Sequence, residues 1–135
     1  MNEIIDEGMG LSLANPPVIT KSQGVFRFSK LTREELATKV ETFLHKKGYK
    51  LEEGTPYSGQ YGKGSRAGRI LLGAFIKRFA WSITINDEGG LTTLTFYKQA
   101  SGMVGGIIGV SQVNKEFNSI INSLINFHKG IESKK

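Results

Sequence analysis

One continuous stretch of the chain, from Gly54 to Asn86, contains five basic side chains and not one carboxylate. The same stretch is rich in glycine and contains aromatic residues. Lysine and arginine bind phosphates, and aromatic rings stack on bases, so this composition is typical of a surface that contacts a polyanion. The candidate residues for binding an anion or a partner are Lys63, Arg66, Arg69, Lys77, Arg78, Tyr57 and Tyr61.

The basic stretch also has a purely structural explanation. Lysine and arginine at the exposed edge of a sheet discourage edge-to-edge aggregation, and basic patches are common and weakly specific. Both interpretations stay open at this point. The functional one predicts a non-catalytic binding module whose segment 54–86 contacts an anionic partner, either a nucleic acid, a phosphate or an acidic membrane surface.

The segment that holds most of these charges, Ser65–Phe79, fits two secondary structures. As a helix it is basic and amphipathic, which is typical of helices that lie on anionic membranes. As a strand, Arg69–Ile76 is an apolar run buried by its neighbours. Gly68 and Gly73 would each cost a helix about 1 kcal/mol relative to alanine, so we favour the strand.

The composition argues against catalysis. Among its 135 residues the chain has no cysteine and only two histidines, His45 and His128. This excludes thiolate nucleophiles and cysteine-ligated metals. Gly62-Lys63-Gly64-Ser65 lacks the spacing of a phosphate-binding loop. We therefore expect neither an enzyme nor a cofactor nor a bound metal.

A second function class is self-assembly into a homo-oligomer. A glycine-rich apolar cluster occupies residues 102–109, and asparagines recur every fourth residue from Asn114 to Asn126. The apolar cluster, the neutral amide face and an N-terminal arm with two prolines are surfaces that could contact identical subunits. The alternatives are a tight turn that only glycine allows and a helix face that contacts water.

A third hypothesis places a small apolar ligand between the sheet and the last helix. An enclosed pocket with apolar and aromatic lining is typical of such sites. The candidate lining residues are Phe79, Trp81, Phe96 and Met103.

Six elements that would position these residues follow from local patterns. A strand is predicted at 25–29, and a helix starts at the capping box of Thr32 and Glu35 and ends before Gly48. A short strand at 49–52 follows. Alternation over 78–86 and 91–98 predicts a hairpin around a turn at 87–90, and an apolar stripe predicts a final helix over 111–128.

These elements, with a further strand before the hairpin, follow the order β-α-β-β-β-β-α. Strands in succession predict an antiparallel sheet of about four to five strands with two helices on one face, an α+β fold. The order is similar, in topology only, to that of helix-grip domains, and no motif extends the similarity to a family.

The chain divides into a flexible N-terminal arm (1–23), a single α+β domain (24–129) and a polar C-terminal tail (130–135). It contains no apolar run long enough to span a membrane. Its first ten residues carry three acidic and no basic side chains, unlike a secretory signal. We therefore expect a cytoplasmic protein.

Overall fold

A computed structural model describes residues 15–64, 79–98 and 110–133. In these ranges the chain forms an antiparallel six-stranded sheet and two helices, which confirms the predicted α+β class with one or two strands more than expected. The elements are β1 (Val18–Ile19), β2 (Gln23–Phe28), α1 (Arg33–Lys46), β3 (Lys50–Thr55), β4 (Ser58–Lys63), β5 (Phe79–Glu88), β6 (Leu91–Lys98) and α2 (Val110–Glu132).

The strands lie in the order β1-β2-β6-β5-β4-β3. The first long strand, β2, therefore pairs with the last strand, β6, with Phe26 opposite Leu94. Strand β4 was not predicted, because Gly59 and Gly62 interrupt the alternation of side chains that marks a strand. The strand forms because it pairs with β5, with Tyr61 opposite Trp81.

The β5–β6 hairpin has a tighter turn than the composition predicts. Only Gly89 and Gly90 connect the strands, with φ of 56° and 85°. A two-residue turn with positive φ at both positions matches the twist of a hairpin, and glycine adopts it without strain. Asp87 and Glu88 therefore belong to β5 and not to the turn.

Helix α1 begins and ends as its caps predict. Thr32 Oγ1 accepts a hydrogen bond from the backbone N–H of Glu35 (3.1 Å), and the Glu35 carboxylate accepts one from the N–H of Thr32 (2.9 Å). This is the reciprocal capping box. Gly48 follows the helix with φ of 93°, which confirms its role at the C-terminal end.

Helix α2 continues to Glu132, past the predicted end at His128 and into the segment assigned to the polar tail. The Glu132 carboxylate accepts hydrogen bonds from the Ser29 backbone N–H (3.0 Å) and hydroxyl (2.8 Å). These contacts attach the end of α2 to the segment after β2.

Both helices pack on the same face of the sheet, as predicted. Their apolar stripes join the inward-facing side chains of the strands in a single buried cluster. Its largest members are Trp81, Tyr49, Tyr61, Phe26, Phe28, Phe96 and Phe117. Neither helix in the described ranges is long and apolar enough to cross a membrane.

Candidate functional site

The ends of the neighbouring strands β4, β5 and β6 lie side by side at one end of the sheet, and we call this end the Lys63 edge. Lys63 at the end of β4 pairs with Phe79 at the start of β5, and Lys98 at the end of β6 pairs with Trp81. The first turns of α2 lie over this edge, because Lys98 Nζ donates to Asn114 Oδ1 at 2.5 Å. Residues 65–78 and 99–109 lie outside the described residues, but their flanking residues all belong to this edge.

An open groove of about 590 Å³ lies here, between the sheet and α2. We call it the Lys63 groove. It is lined by Lys63, Phe79, Gln112, Lys115, Glu116 and Ser119.

A buried tyrosine lies behind Glu116, a lining residue of the Lys63 groove. The Tyr49 hydroxyl, fully buried, donates to Glu116 Oε2 at 2.6 Å. Burial raises the pKa of Tyr49, and the bond to the Glu116 carboxylate raises it further, whereas the nearby Trp81 indole N–H lowers it. Tyr49 therefore remains a neutral hydrogen-bond donor well beyond the pH range in which an exposed tyrosine ionises.

Lys63 and Lys115 give the groove a positive balance. Lys63 Nζ lies 3.7 Å from Glu116 Oε2 and 5.3 Å from the centroid of the Tyr49 ring. Its side chain is 42% exposed, so the ammonium group also reaches solvent. Lys115 is exposed. Among the described residues, the lining thus has two cations and one carboxylate, which already accepts a hydrogen bond from Tyr49.

Phe79 provides the apolar wall of the groove. Its ring stacks on Trp81, with centroids 6.1 Å apart and planes inclined by 10°. Trp81 in turn contacts Phe117 of α2 at 5.8 Å. Because the wall is packed on the core, its position is set before any ligand binds, which reduces the entropy lost on binding.

The structure separates the residues that the sequence analysis grouped as an anion site. Lys63 lies in the groove. Tyr57 lies beyond the opposite end of β4, with the Arg33 guanidinium 4.2 Å from its ring centroid. Tyr61 is fully buried in the core, where burial and the nearby charge of Glu41 raise its pKa to about 12. Neither tyrosine is placed to stack beside a ligand at Lys63. The remaining candidates, Arg66, Arg69, Lys77 and Arg78, lie outside the described residues.

Three of the four predicted cavity residues do lie together. Phe79, Trp81 and Phe96 face α2, and Trp81 and Phe96 are 5.7 Å apart. Phe117 packs against both, at 5.8 and 5.7 Å, so side chains occupy the space between these rings. Met103 lies outside the described residues.

The surfaces considered for self-assembly are partly visible. In the N-terminal arm, Val18 and Ile19 form β1 on the free edge of β2 and are 53% and 41% exposed. Asn118, Asn122 and Asn126 are exposed, whereas Asn114 accepts the bond from Lys98. The glycine cluster at 102–109 lies outside the described ranges.

Tyr49, Lys115 and Glu116 were not singled out from the sequence. Tyr49 and Glu116 are 67 positions apart, and only the packing of α2 on the sheet joins them. The one available signal was weak: Glu116 is the sole carboxylate in the first four turns of α2. In the part of the chain that the structure describes, no cluster of three histidine, aspartate or glutamate side chains could hold a metal ion.

Comparison with protein-family models, with curated proteins and with solved structures found no match for this chain.

Proposed function

We propose that this protein is a non-catalytic binding module that takes an amphipathic anion at the Lys63 groove, with the acidic headgroups of a membrane surface as its source. The observation that carries the proposal is the pairing of two accessible lysines, Lys63 and Lys115, with the rigid apolar wall of Phe79. The lysines match a phosphate or carboxylate, and the phenyl ring matches the apolar part of the same molecule.

The charge that Lys63 offers is only partly used within the protein. The 3.7 Å separation from Glu116 is a loose ion pair, and the Glu116 carboxylate has its shorter contact with Tyr49. Exposed ion pairs of this kind contribute little stability. An incoming anion can therefore contact Lys63 without displacing a strong internal interaction.

The segment that connects Lys63 to Phe79 in the sequence is also basic. The segment between Gly64 and Phe79 carries Arg66, Arg69, Lys77 and Arg78 and no acidic residue. Arg78 directly precedes Phe79, a groove residue, in the chain. Lysine and arginine near an anionic membrane surface each contribute about 1 kcal/mol to binding.

A lipid surface is favoured over a nucleic acid by the positions of the aromatic side chains. Tyr61 and Trp81 are core residues. At the far end of β4, the Arg33 guanidinium lies over the ring of Tyr57. Proteins that bind single strands without sequence preference rely on exposed rings for stacking. In the described part of the chain, no exposed ring of this kind lies beside Lys63.

The test is sedimentation with vesicles of phosphatidylcholine alone or with added phosphatidylserine, at low and high salt. We expect binding only to the acidic vesicles, weakened by salt. The Lys63→Gln and Lys115→Gln double variant should bind about 25-fold more weakly, since each lysine contributes about fivefold. Lys129→Gln, at the other end of α2, is the matched control and should bind as the unmodified protein does.

Thermal unfolding of the variants shows whether they remain folded. The proposal is overturned if the double variant binds acidic vesicles as well as the Lys129→Gln control. It is also overturned if single-stranded RNA binds in a salt-sensitive way and the acidic vesicles do not.

A further inference from the structure

A second groove lies between the two helices, away from the Lys63 groove. It has a volume of about 440 Å³ and is formed by the side chains of α1 and of the last turns of α2 that face each other. We call it the helix groove. Its apolar floor consists of Phe43, Phe127 and Ile131, and its rim carries Lys39 and Lys46.

The floor of the helix groove is anchored in the core but remains partly open to solvent. The rings of Phe43 and Phe127 are 5.6 Å apart and inclined by 48°, and both are half-buried. Phe127 also contacts Phe28 of the sheet, edge to face, at 5.8 Å. Two adjacent aromatic rings fixed by the core form a preorganised apolar surface, which is typical of the centre of an interface.

The rim of the helix groove is basic. Lys39 and Lys46 line it, and Lys47 Nζ lies 5.3 Å from the centroid of the Phe43 ring. Among the described residues, the polar lining contributed by α1 consists of Lys39, Lys46 and two threonines, with no carboxylate. Two of the three acidic side chains of α1 have other contacts: Glu35 accepts a hydrogen bond in the capping box, and the Glu41 carboxylate lies 4.0 Å from His45 Nε2.

We propose that the helix groove docks an acidic amphipathic helix of a partner protein. Apolar side chains of the partner would pack on the floor, and its carboxylates would pair with the lysines of the rim. Charge complementarity selects this occupant, because the lining combines lysines with apolar rings and has no acidic group. An amphipathic helix in an apolar groove is a recurring mode of recognition.

The spacing of the two rim lysines defines the partner more closely. Lys39 and Lys46 are seven residues apart on α1, which is about 10.5 Å along the helix axis. Two carboxylates seven residues apart on a bound helix have the same separation. The partner segment should therefore have acidic residues at positions i and i+7 and large apolar residues at i+3 and i+4, since these lie on one face of a helix.

The test is fluorescence anisotropy with a labelled helical peptide that has this pattern, added to the full chain. The control is a peptide of the same composition in which the acidic and apolar positions are scrambled. We expect the patterned peptide to bind at least tenfold more tightly than the scrambled one. The Lys39→Glu and Lys46→Glu double variant should lose at least tenfold in affinity, because like charges then meet across the interface.

Control variants separate docking from a loss of fold and from the Lys63 groove. Lys129→Glu, on the other side of α2, and Lys63→Gln should bind the patterned peptide as the unmodified protein does. Phe43→Gln should weaken binding without a change at the rim. Thermal unfolding monitors the fold in each case.

Several results would overturn this proposal. One is equal binding of the scrambled peptide, and another is unchanged binding by the Lys39→Glu and Lys46→Glu variant. A third is a vesicle affinity that depends on Lys39 and Lys46 when the peptide does not bind, which would assign the groove to lipid. A fourth is tenfold tighter peptide binding after Glu3→Gln, Asp6→Asn and Glu7→Gln, which would assign it to the chain's own acidic N-terminal segment.

Discussion

The two ends of α2 contact the same sheet through different chemistry. At the N-terminal end, Asn114 and Glu116 contact lysines of the strands, Lys98 and Lys63. At the C-terminal end, His128 is fully buried between aromatic rings of β2. Its Nε2 lies 2.7 Å from the carbonyl oxygen of Arg27, so Nε2 carries the hydrogen and donates it. We refer to these as the polar end and the aromatic end.

This difference distinguishes the side chains that can bind a ligand from those that stabilise the fold. Polar contacts that are partly exposed contribute little to folding because water competes for the same groups. Buried rings and a buried hydrogen bond contribute much more, since their loss leaves a cavity or an unpaired polar group. The charged side chains of the polar end can thus contact a ligand at little cost to the fold. Buried rings hold the helix on the sheet: Phe117, beside Glu116, packs on Trp81 and Phe96, and His128 packs on Phe28 at the aromatic end.

The largest expected effect is at the aromatic end. Phe28→Ala removes a ring that is 1% exposed and contacts both Phe127 and His128. We expect the free energy of unfolding to fall by about 3–5 kcal/mol, the usual cost of deleting a buried phenyl ring. Urea denaturation measures it. Lys63→Ala at the polar end is the comparison variant and should cost less than about 1 kcal/mol. Similar losses in the two variants would refute the contrast between the ends.

A smaller loss is expected when the buried histidine is truncated. His128→Ala should lower the free energy of unfolding by about 2–4 kcal/mol, because it opens a cavity and leaves the Arg27 carbonyl oxygen without its donor. His45→Ala, on the exposed side of α1, is the matched control and should change stability by no more than about 0.5 kcal/mol. If both variants unfold at the same urea concentration, His128 does not hold α2 on the sheet.

Among the polar contacts of the polar end, the bond between Tyr49 and Glu116 is expected to be the strongest. Tyr49→Phe keeps the ring and removes the donor, and we expect a loss of about 1–2 kcal/mol, since Glu116 keeps Lys63 and partial contact with water. Glu116→Ala, which removes the acceptor, is the partner variant. A double-mutant cycle in urea should give a coupling energy of at least about 0.5 kcal/mol between the two positions. Additive losses would show that the two side chains do not stabilise each other in solution.

The smallest effect at neutral pH is expected for Tyr61→Phe. The Tyr61 hydroxyl has no hydrogen-bond partner among the described residues, so its removal should change stability by less than about 0.5 kcal/mol at pH 7. At alkaline pH we expect the pH dependence of stability to differ between the Tyr61→Phe variant and the unmodified protein. In the unfolded chain Tyr61 ionises near its ordinary pKa of 10, whereas in the folded protein its pKa is about 12.

Stability from this group is therefore complete below pH 10 and is lost as the pH rises from 10 to 12. The Tyr61→Phe variant should lose less stability than the unmodified protein between pH 9 and pH 11, as measured by urea denaturation. Tyr49, whose pKa is also raised, is present in both proteins and cancels in the comparison. An equal loss in the two proteins would show that Tyr61 is accessible to water.

The sequence by itself determined the elements whose signals are local. The caps of α1, the alternation of β5 and β6 and the apolar stripe of α2 all depend on neighbours within a few positions, so they could be read in order along the chain. They were sufficient for the α+β class and for both helices on one face. Lys63 could also be named as a candidate, because a basic residue in a carboxylate-free stretch needs no tertiary information.

Only the tertiary structure decided which of these residues act together. Strand β4 carries two glycines and too little alternation to be recognised alone, and pairing with β5 creates it. Tyr61, a candidate binding residue in the sequence, is buried because its strand directs the side chain toward the helices. Glu116 meets Tyr49 and Lys63 because α2 crosses the Lys63 edge of the sheet. Such contacts join positions far apart in the chain, where local propensity carries no information, so the groove follows from packing alone.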